Sequence, residues 1–511
     1  MKRIIILLMM ILLCLTISCT DSKKTKTLSE ADEAILNDVL DNFAMLAAVP
    51  RQSGHEQAIS NKLKAWAEDL GLSVMQNAEN DLVFDVPATK GYEHLPLTAL
   101  QAHIDMDCVA LEGETFNPQK DPIKYVVNKK AGTVKAKGTT LGADDGAGVS
   151  VIMSIVKGKM AHGPLRIIFT TNEETTMSGA LAISAEQFSG VKYCINIDSE
   201  DSSTVTVSSA ADAKIIIDDI PKMTATAKDA TFKITISGLL GGHSGLMIGE
   251  GRCNGIIAVA DILANLSTHV KYELVSMTGG IASNAIPSKA EAVINIAAND
   301  ETALRSFIAK KLAELQSKYK KIEKNIAITV EKTEIANKVF EEAQTKNIIN
   351  YIKATIDGVY SMSGAIDGLV ESSSNLGVIS INADIIKIIH LLRSSSTEKL
   401  AEIIAHQETL ARQYGLTQSV ENGSKAWPAN PNSVLLDKLK KIYKEQNGSK
   451  IKVVAVHAGL ECGAFAELVP NLDMISIGPD IHDAHSPNET LFINSIPKIW
   501  HILEKLLVEV E

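Results

Sequence analysis

What this chain lacks narrows its partners before any motif is read. It has no dense basic tract beyond a few lysines near the N-terminus, and 50 Lys and Arg against 61 Asp and Glu leave a net charge of −11. Gripping a phosphate backbone takes concentrated positive charge, so nucleic acid is excluded as a partner. Cysteine is scarce, 6 in 511 residues. Cys108, Cys194, Cys253 and Cys462 show neither the paired spacing of a zinc finger nor the density of a disulfide scaffold, and read as buried thiols. No internal repeat and no low-complexity tract occurs beyond one polar stretch near the start, which excludes solenoids and arrays. Long apolar runs are missing too. The single exception, Ile4 to Ile17, falls short of the roughly 20 residues needed to span a bilayer.

That run has a context. Lys2 and Arg3 precede it, Ser18-Cys19 follows it, and Asp21 to Thr27 is polar. The order is that of a bacterial lipoprotein leader. Residues 1–18 are therefore expected to be a signal peptide, Cys19 a lipidation site and 19–30 a tether. The expected location is outside the cytoplasm, with the membrane reached only through an N-terminal lipid anchor.

At 45% apolar and 22% charged residues, the remainder has the composition of a globular protein large enough for two or three structural units. Ser29 is placed to cap a helix carrying Ile35, Val39, Phe43 and Leu46, and a second helix carries Ile59, Leu63, Trp66 and Leu70 before Gly71. Short apolar runs at Leu97–Ala102, Leu165–Thr170 and Tyr193–Ile197 then alternate with helical patterns from about Ala147 and near Ala180. This is α/β texture. From about Asp212 the pattern shifts to alternating strands, Phe232-Ile234-Ile236 and Ala290-Val293-Ile296, mixed with helices at Gly255–Leu266 and Ala303–Tyr319. After a turn-rich stretch, Asn422 to Asn432, α/β texture returns. The expected organisation is a catalytic domain in two parts, 31–211 and 426–511, with an α+β unit, 212–425, inserted between them.

Chemistry gathers at the ends of the apolar runs. His103-Ile104-Asp105 follows the first; Asp144-Asp145 lies in a glycine-rich loop entering a helix, where carboxylates serve equally well as caps. Asn172-Glu173-Glu174 follows the next run, and like charges so close need a cation or a proton. Asp198, Glu200 and Asp201 follow the third, and His482, Asp483 and His485 stand near the end. Each alone reads as polar surface. Together they supply the nitrogen and oxygen donors of a two-metal hydrolytic site.

The full set of segments resembles the aminoacyl-histidine (Xaa-His, carnosinase-like) dipeptidases within the two-zinc exopeptidase and aminoacylase family. It is carried by Val49-Pro50-Arg51-Gln52-Ser53, Gln101 to Met106, Leu141 to Gly146, Thr171 to Glu174, Asn196 to Glu200, Gly241-Gly242-His243-Ser244-Gly245, Leu392 to Ser395, His457 to Gly463 and His485-Ser486-Pro487. The resemblance implies a zinc-exopeptidase-like α/β domain with an inserted lid or dimerisation domain. It implies two zinc ions, with Asp144 bridging them, His103 and Asp198 on one, and Glu174 and His485 on the other; His482 competes with His485. Glu173 would be the general base, Asp105 would orient His103, and His243 would approach the scissile carbonyl. Arg393 and Asn284 would grip the substrate carboxylate, or serve as ordinary interdomain structure. The expected activity is hydrolysis of dipeptides, with a small peptide as partner and a homodimer left open. A related tripeptidase or N-acyl amino acid deacylase, and a peptide-binding lipoprotein without turnover, are the alternatives.

Overall fold

The structure, a computed structural model, describes residues 28–364 and 368–510. The basic start, the apolar run and Cys19 lie outside the described residues. No helix of the described residues is long and apolar enough to cross a membrane.

The first helix, Glu30–Ala47, begins as its sequence directs: the Ser29 hydroxyl accepts the Asp32 N–H at 3.1 Å, and Glu30, Asp32 and Glu33 set negative charge against the positive end of the helix dipole. Its Leu36, Val39, Phe43 and Leu46 are buried. They help cover an eight-stranded sheet ordered Val74–Gln76, Leu82–Val86, Leu165–Thr170, Leu97–His103, Val191–Asn196, Asp473–Ser476, Thr204–Ser209 and Lys452–Val456. The four strands from Leu165–Thr170 to Asp473–Ser476 run parallel to one another, whereas Leu82–Val86 on one side and Thr204–Ser209 on the other pair with them antiparallel. The C-terminal ends of the four therefore emerge along one edge, where an open α/β sheet builds its site. Buried on both faces, these strands are near-continuously apolar.

A second sheet, of nine antiparallel strands, lies between Ala211 and Asn422. The helices Gly255–Leu266 and Thr397–Gln413 pack on it, and it has a hydrophobic core separate from that of the first sheet. The fold class is as expected, α/β with an inserted α+β unit. Some local readings differ. In the strand Ala290–Ile296 the inward residues are Ala290, Ala292, Ile294 and Ile296, the period of two that a pleat imposes, so Val293 faces the other way. The helix near Ala180 is only Ser178–Ala182.

Candidate metal centre

Each of the four parallel strands delivers side chains to one place. His103 is the last residue of its strand, Glu173 and Glu174 follow Thr170, Asp198 follows Asn196, and His485 comes from the segment after Ser476. Between them Asp144 enters from the loop at the start of the helix Ala143–Ser154. Asp144 (φ −80°, ψ 114°) and Asp145 (φ −103°, ψ 31°) are not helical, and the peptide joining them is cis. The two neighbours part company. Asp145 Oδ1 accepts the Gly148 N–H at 3.1 Å and caps the helix. Asp144 faces the histidines: His103 Nε2 lies 3.2 Å from its Oδ1 and His485 Nε2 lies 3.1 Å from its Oδ2.

Two donor groups share that carboxylate. His103 Nε2 is also 3.5 Å from Asp198 Oδ1, and His485 Nε2 is 2.8 Å from Glu174 Oε2. Atoms bonded to one first-row cation at about 2.0–2.2 Å lie about 3 Å from one another, which is the spacing seen. His103, Asp144 and Glu174 make one compact triplet of candidate ligand atoms, and His103, Asp145 and Asp198 another. Asp145 was not among the expected ligands. His482 instead lies tilted against Phe492, ring centroids 4.6 Å apart and planes at 57°.

A shell of buried groups fixes these residues. Asp105 Oδ2 accepts Ser53 Oγ–H at 2.6 Å and the Glu174 N–H at 3.2 Å, while its Oδ1 lies 3.4 Å from His103 Nδ1. Carboxylates hold other amides of the glutamate loop: Asp81 accepts from Thr171 N–H at 2.9 Å and Glu56 from Asn172 N–H at 3.1 Å. Arg51, fully buried, donates to the carbonyls of Ile104, Asp105 and Gly142. Gly142 has φ +70°, and a Cβ there would press on the Arg51 guanidinium, so glycine is required twice over. Below the strand ends, Glu461 accepts from Gln101 Nε2 at 2.6 Å and Thr170 Oγ1 at 2.7 Å, and Gln101 in turn accepts from Asn196.

The electrostatics are those of a site short of positive charge. Burial opposes charging of His103, but Asp198, Asp105 and Asp144 outweigh it and raise its pKa well above the ordinary value. Hydrogen bonds to Asp144 and then Glu174 push His485 up to about 12. For Asp144 the pull of the two histidines overcomes burial and depresses the pKa. Burial lifts Asp198 to about 6 and Glu200 to about 8. It lifts Glu173 well above the carboxylate range; His103 opposes that rise, and Asp198, Glu174 and Glu461 add to it. So many buried carboxyls beside two imidazoles are stable only as shared protons or around cations.

The inserted unit reaches the same region. His243 pairs with Ala285 across a short ladder, and Ser244 N–H donates to the Asn284 carbonyl at 2.8 Å. Leu246 N–H donates to His243 Nδ1 at 3.2 Å, which leaves Nε2 as the protonated nitrogen of the neutral ring. Burial, then the positive charges of Arg393 and His485, lower the His243 pKa. Arg393 is buried, whereas Asn284 is exposed. Sequence reasoning missed Glu489, Glu461 and the orientation of Arg51. Arg51 and Glu461 stand inside motif segments, but nothing in their spacing says which way they point.

Comparison with known proteins places this geometry. A model of peptidase family M20/M25/M40 matches residues 100–509, and the chain belongs to that family. It is thus a metallopeptidase-type hydrolase by fold and site. The cytosol non-specific dipeptidase of Escherichia coli (strain K12) is 29% identical over 485 residues, 94% of this chain and 99% of that protein. The crystal structure of the aminoacylhistidine dipeptidase from Vibrio alginolyticus is 30% identical and superposes with a TM-score of 0.85 over 95% of this chain and 98% of that one. A tripeptidase from Staphylococcus aureus shares the fold, with a TM-score of 0.54 at 15% identity over 93% of this chain and 98% of that one. The expectation of an exported, lipid-anchored protein with a signal peptide is overturned here. The relative matched across 94% of the chain is a cytosol enzyme.

Proposed function

We propose that this protein is a two-zinc dipeptidase acting on Xaa-His and related dipeptides. One observation carries the reading: the two oxygens of Asp144 face two different histidine–carboxylate pairs, His103 with Asp198 and His485 with Glu174. The donor set of imidazole nitrogens and carboxylate oxygens suits zinc, and its uncompensated buried charge calls for cations. The dipeptidase names of the Escherichia and Vibrio relatives support the substrate class.

When bound, two divalent cations supply Lewis acidity to a carbonyl oxygen and to water. The chain's own groups do the rest. Glu173 takes the proton of the water as its oxygen attacks the peptide carbon; it acts as base in its ionised form, which cations held by the adjoining ligands would favour against the burial that raises its pKa. The same proton passes to the departing amine nitrogen as the C–N bond breaks. His243, with Nε2–H free, donates to the oxygen that gains charge. Arg393 and Asn284 hold the substrate carboxylate, the first as a fork and the second as a neutral donor. Asp105 keeps His103 in one tautomer.

The test is a hydrolysis screen of dipeptides, tripeptides and N-acyl amino acids, with elemental analysis of the same sample. Dipeptide turnover with up to two zinc per chain is expected. Asp144→Ala should lose activity together with most of the metal, and full metal occupancy in that variant would remove Asp144 from the centre.

A further inference from the structure

Asp144 belongs to a loop with little secondary structure of its own, yet both of its oxygens must point in fixed directions. What holds that loop comes from the far end of the chain. The Glu489 carboxylate, 2% exposed, accepts four consecutive backbone N–H groups: Leu141 at 2.7 Å and Gly142 at 2.9 Å on Oε2, Ala143 at 2.7 Å and Asp144 at 3.2 Å on Oε1. An ionised carboxylate, with lone pairs on both oxygens and no proton of its own, suits four such donors best. Four residues before Glu489 stands His485, in the left-handed region at φ +59°. A turn closed by Glu489 N–H on the Ser486 carbonyl at 3.0 Å ties the two together, and Ser486 Oγ–H donates to the Asp483 carbonyl at 2.7 Å.

We propose that Glu489 is a positioning residue for the metal centre: it clamps the Asp144 loop to the His485 turn, so that Asp144 and His485 meet although 341 residues separate them. Arg51 grips the same loop by its Gly142 carbonyl and the His103 strand end by Ile104 and Asp105, so amides and carbonyls of the loop are held by opposite charges. Both Glu489 oxygens are taken up by backbone N–H groups of the loop. Glu489 acts through Asp144 and His485, and this inference rests on the metal-centre reading above.

In Glu489→Gln the side-chain amide turns a donor toward one pair of backbone donors, and in Glu489→Asp the carboxylate is withdrawn by one methylene. Zinc affinity of the metal-free proteins, measured by competition with a chromophoric chelator, should fall about 10- to 100-fold in Glu489→Gln and less in Glu489→Asp. Amide hydrogen exchange at residues 141–144 of the metal-free protein should quicken in the same order. Unchanged zinc affinity per folded molecule, with only a lower thermal midpoint, overturns the proposal and leaves Glu489 as a stability element. Failure of the wild-type protein itself to bind zinc overturns the metal-centre reading instead.

Discussion

Glu173 and Glu174 are chain neighbours in different surroundings. Glu174 lies 2.8 Å from His485 and has its N–H on Asp105, whereas Glu173 belongs to neither donor triplet. A carboxyl beside the centre that joins neither donor group suits the role of proton carrier proposed for it. Glu173→Gln keeps the shape and removes the basicity. It should retain the wild-type metal content and the fold while turnover falls by several orders of magnitude, as steady-state kinetics on metal-analysed protein would register. Near-normal turnover in a metal-replete sample would take Glu173 out of the mechanism.

At the scale of elements, the three strands carrying His103, Glu173 and Asp198 are pinned from below by Glu461, Gln101, Thr170 and Asn196. Burial raises the Glu461 pKa to about 8, so at neutral pH the carboxyl is held largely uncharged. Glu461→Ala strips partners from Gln101 and Thr170 and should cost about 1–3 kcal/mol for each group left unpaired, read by urea unfolding. Glu461→Gln, which retains an acceptor, should cost less, and equal losses in the two variants would contradict this account. In the inserted unit His390, on the strand Ile386–Ser394, meets Tyr351 Oη at 3.1 Å from the helix Glu342–Ala354. Burial lowers its pKa to about 3. The unfolded imidazole takes up a proton below about 6.5 and the folded one does not, so this group's stability contribution is present above that value and declines as pH falls toward 3. His390→Gln should show a shallower loss of stability between pH 7 and pH 5 than the wild type; identical slopes would exclude His390 as the source.

Across the whole molecule, the site is shared between two cores. His457, in the loop after the last strand of the first sheet, lies 2.7 Å from Ser373 Oγ of the second sheet, and His243 feels both Arg393 and His485. If His243 makes its main contact as charge develops on the substrate, its loss acts on the transition state. His243→Ala should keep the metal content and the thermal midpoint of the wild type while kcat drops sharply and KM changes little. A lowered midpoint with unchanged kcat would reduce the inserted unit to scaffold.

The sequence by itself determined the elements and the segments where chemistry sits. Ser29 before an amphipathic helix, apolar runs of strand length and polar residues at their ends are local patterns, and local patterns obey the periods of 3.6 and 2 whatever the rest of the chain does. It also carried the family likeness through ordered motifs from Val49 to Pro487. Only the tertiary structure decided direction. Nothing in Asp144-Asp145 says which carboxylate caps the helix and which faces the histidines, because that depends on two non-helical backbone angles. His485, at φ +59°, meets Asp144, while His482 three residues earlier lies against Phe492. Arg51, Glu461 and Glu489 act on backbone and side chains 53 to 360 residues away, and a partner at such separation exists only once the chain has packed.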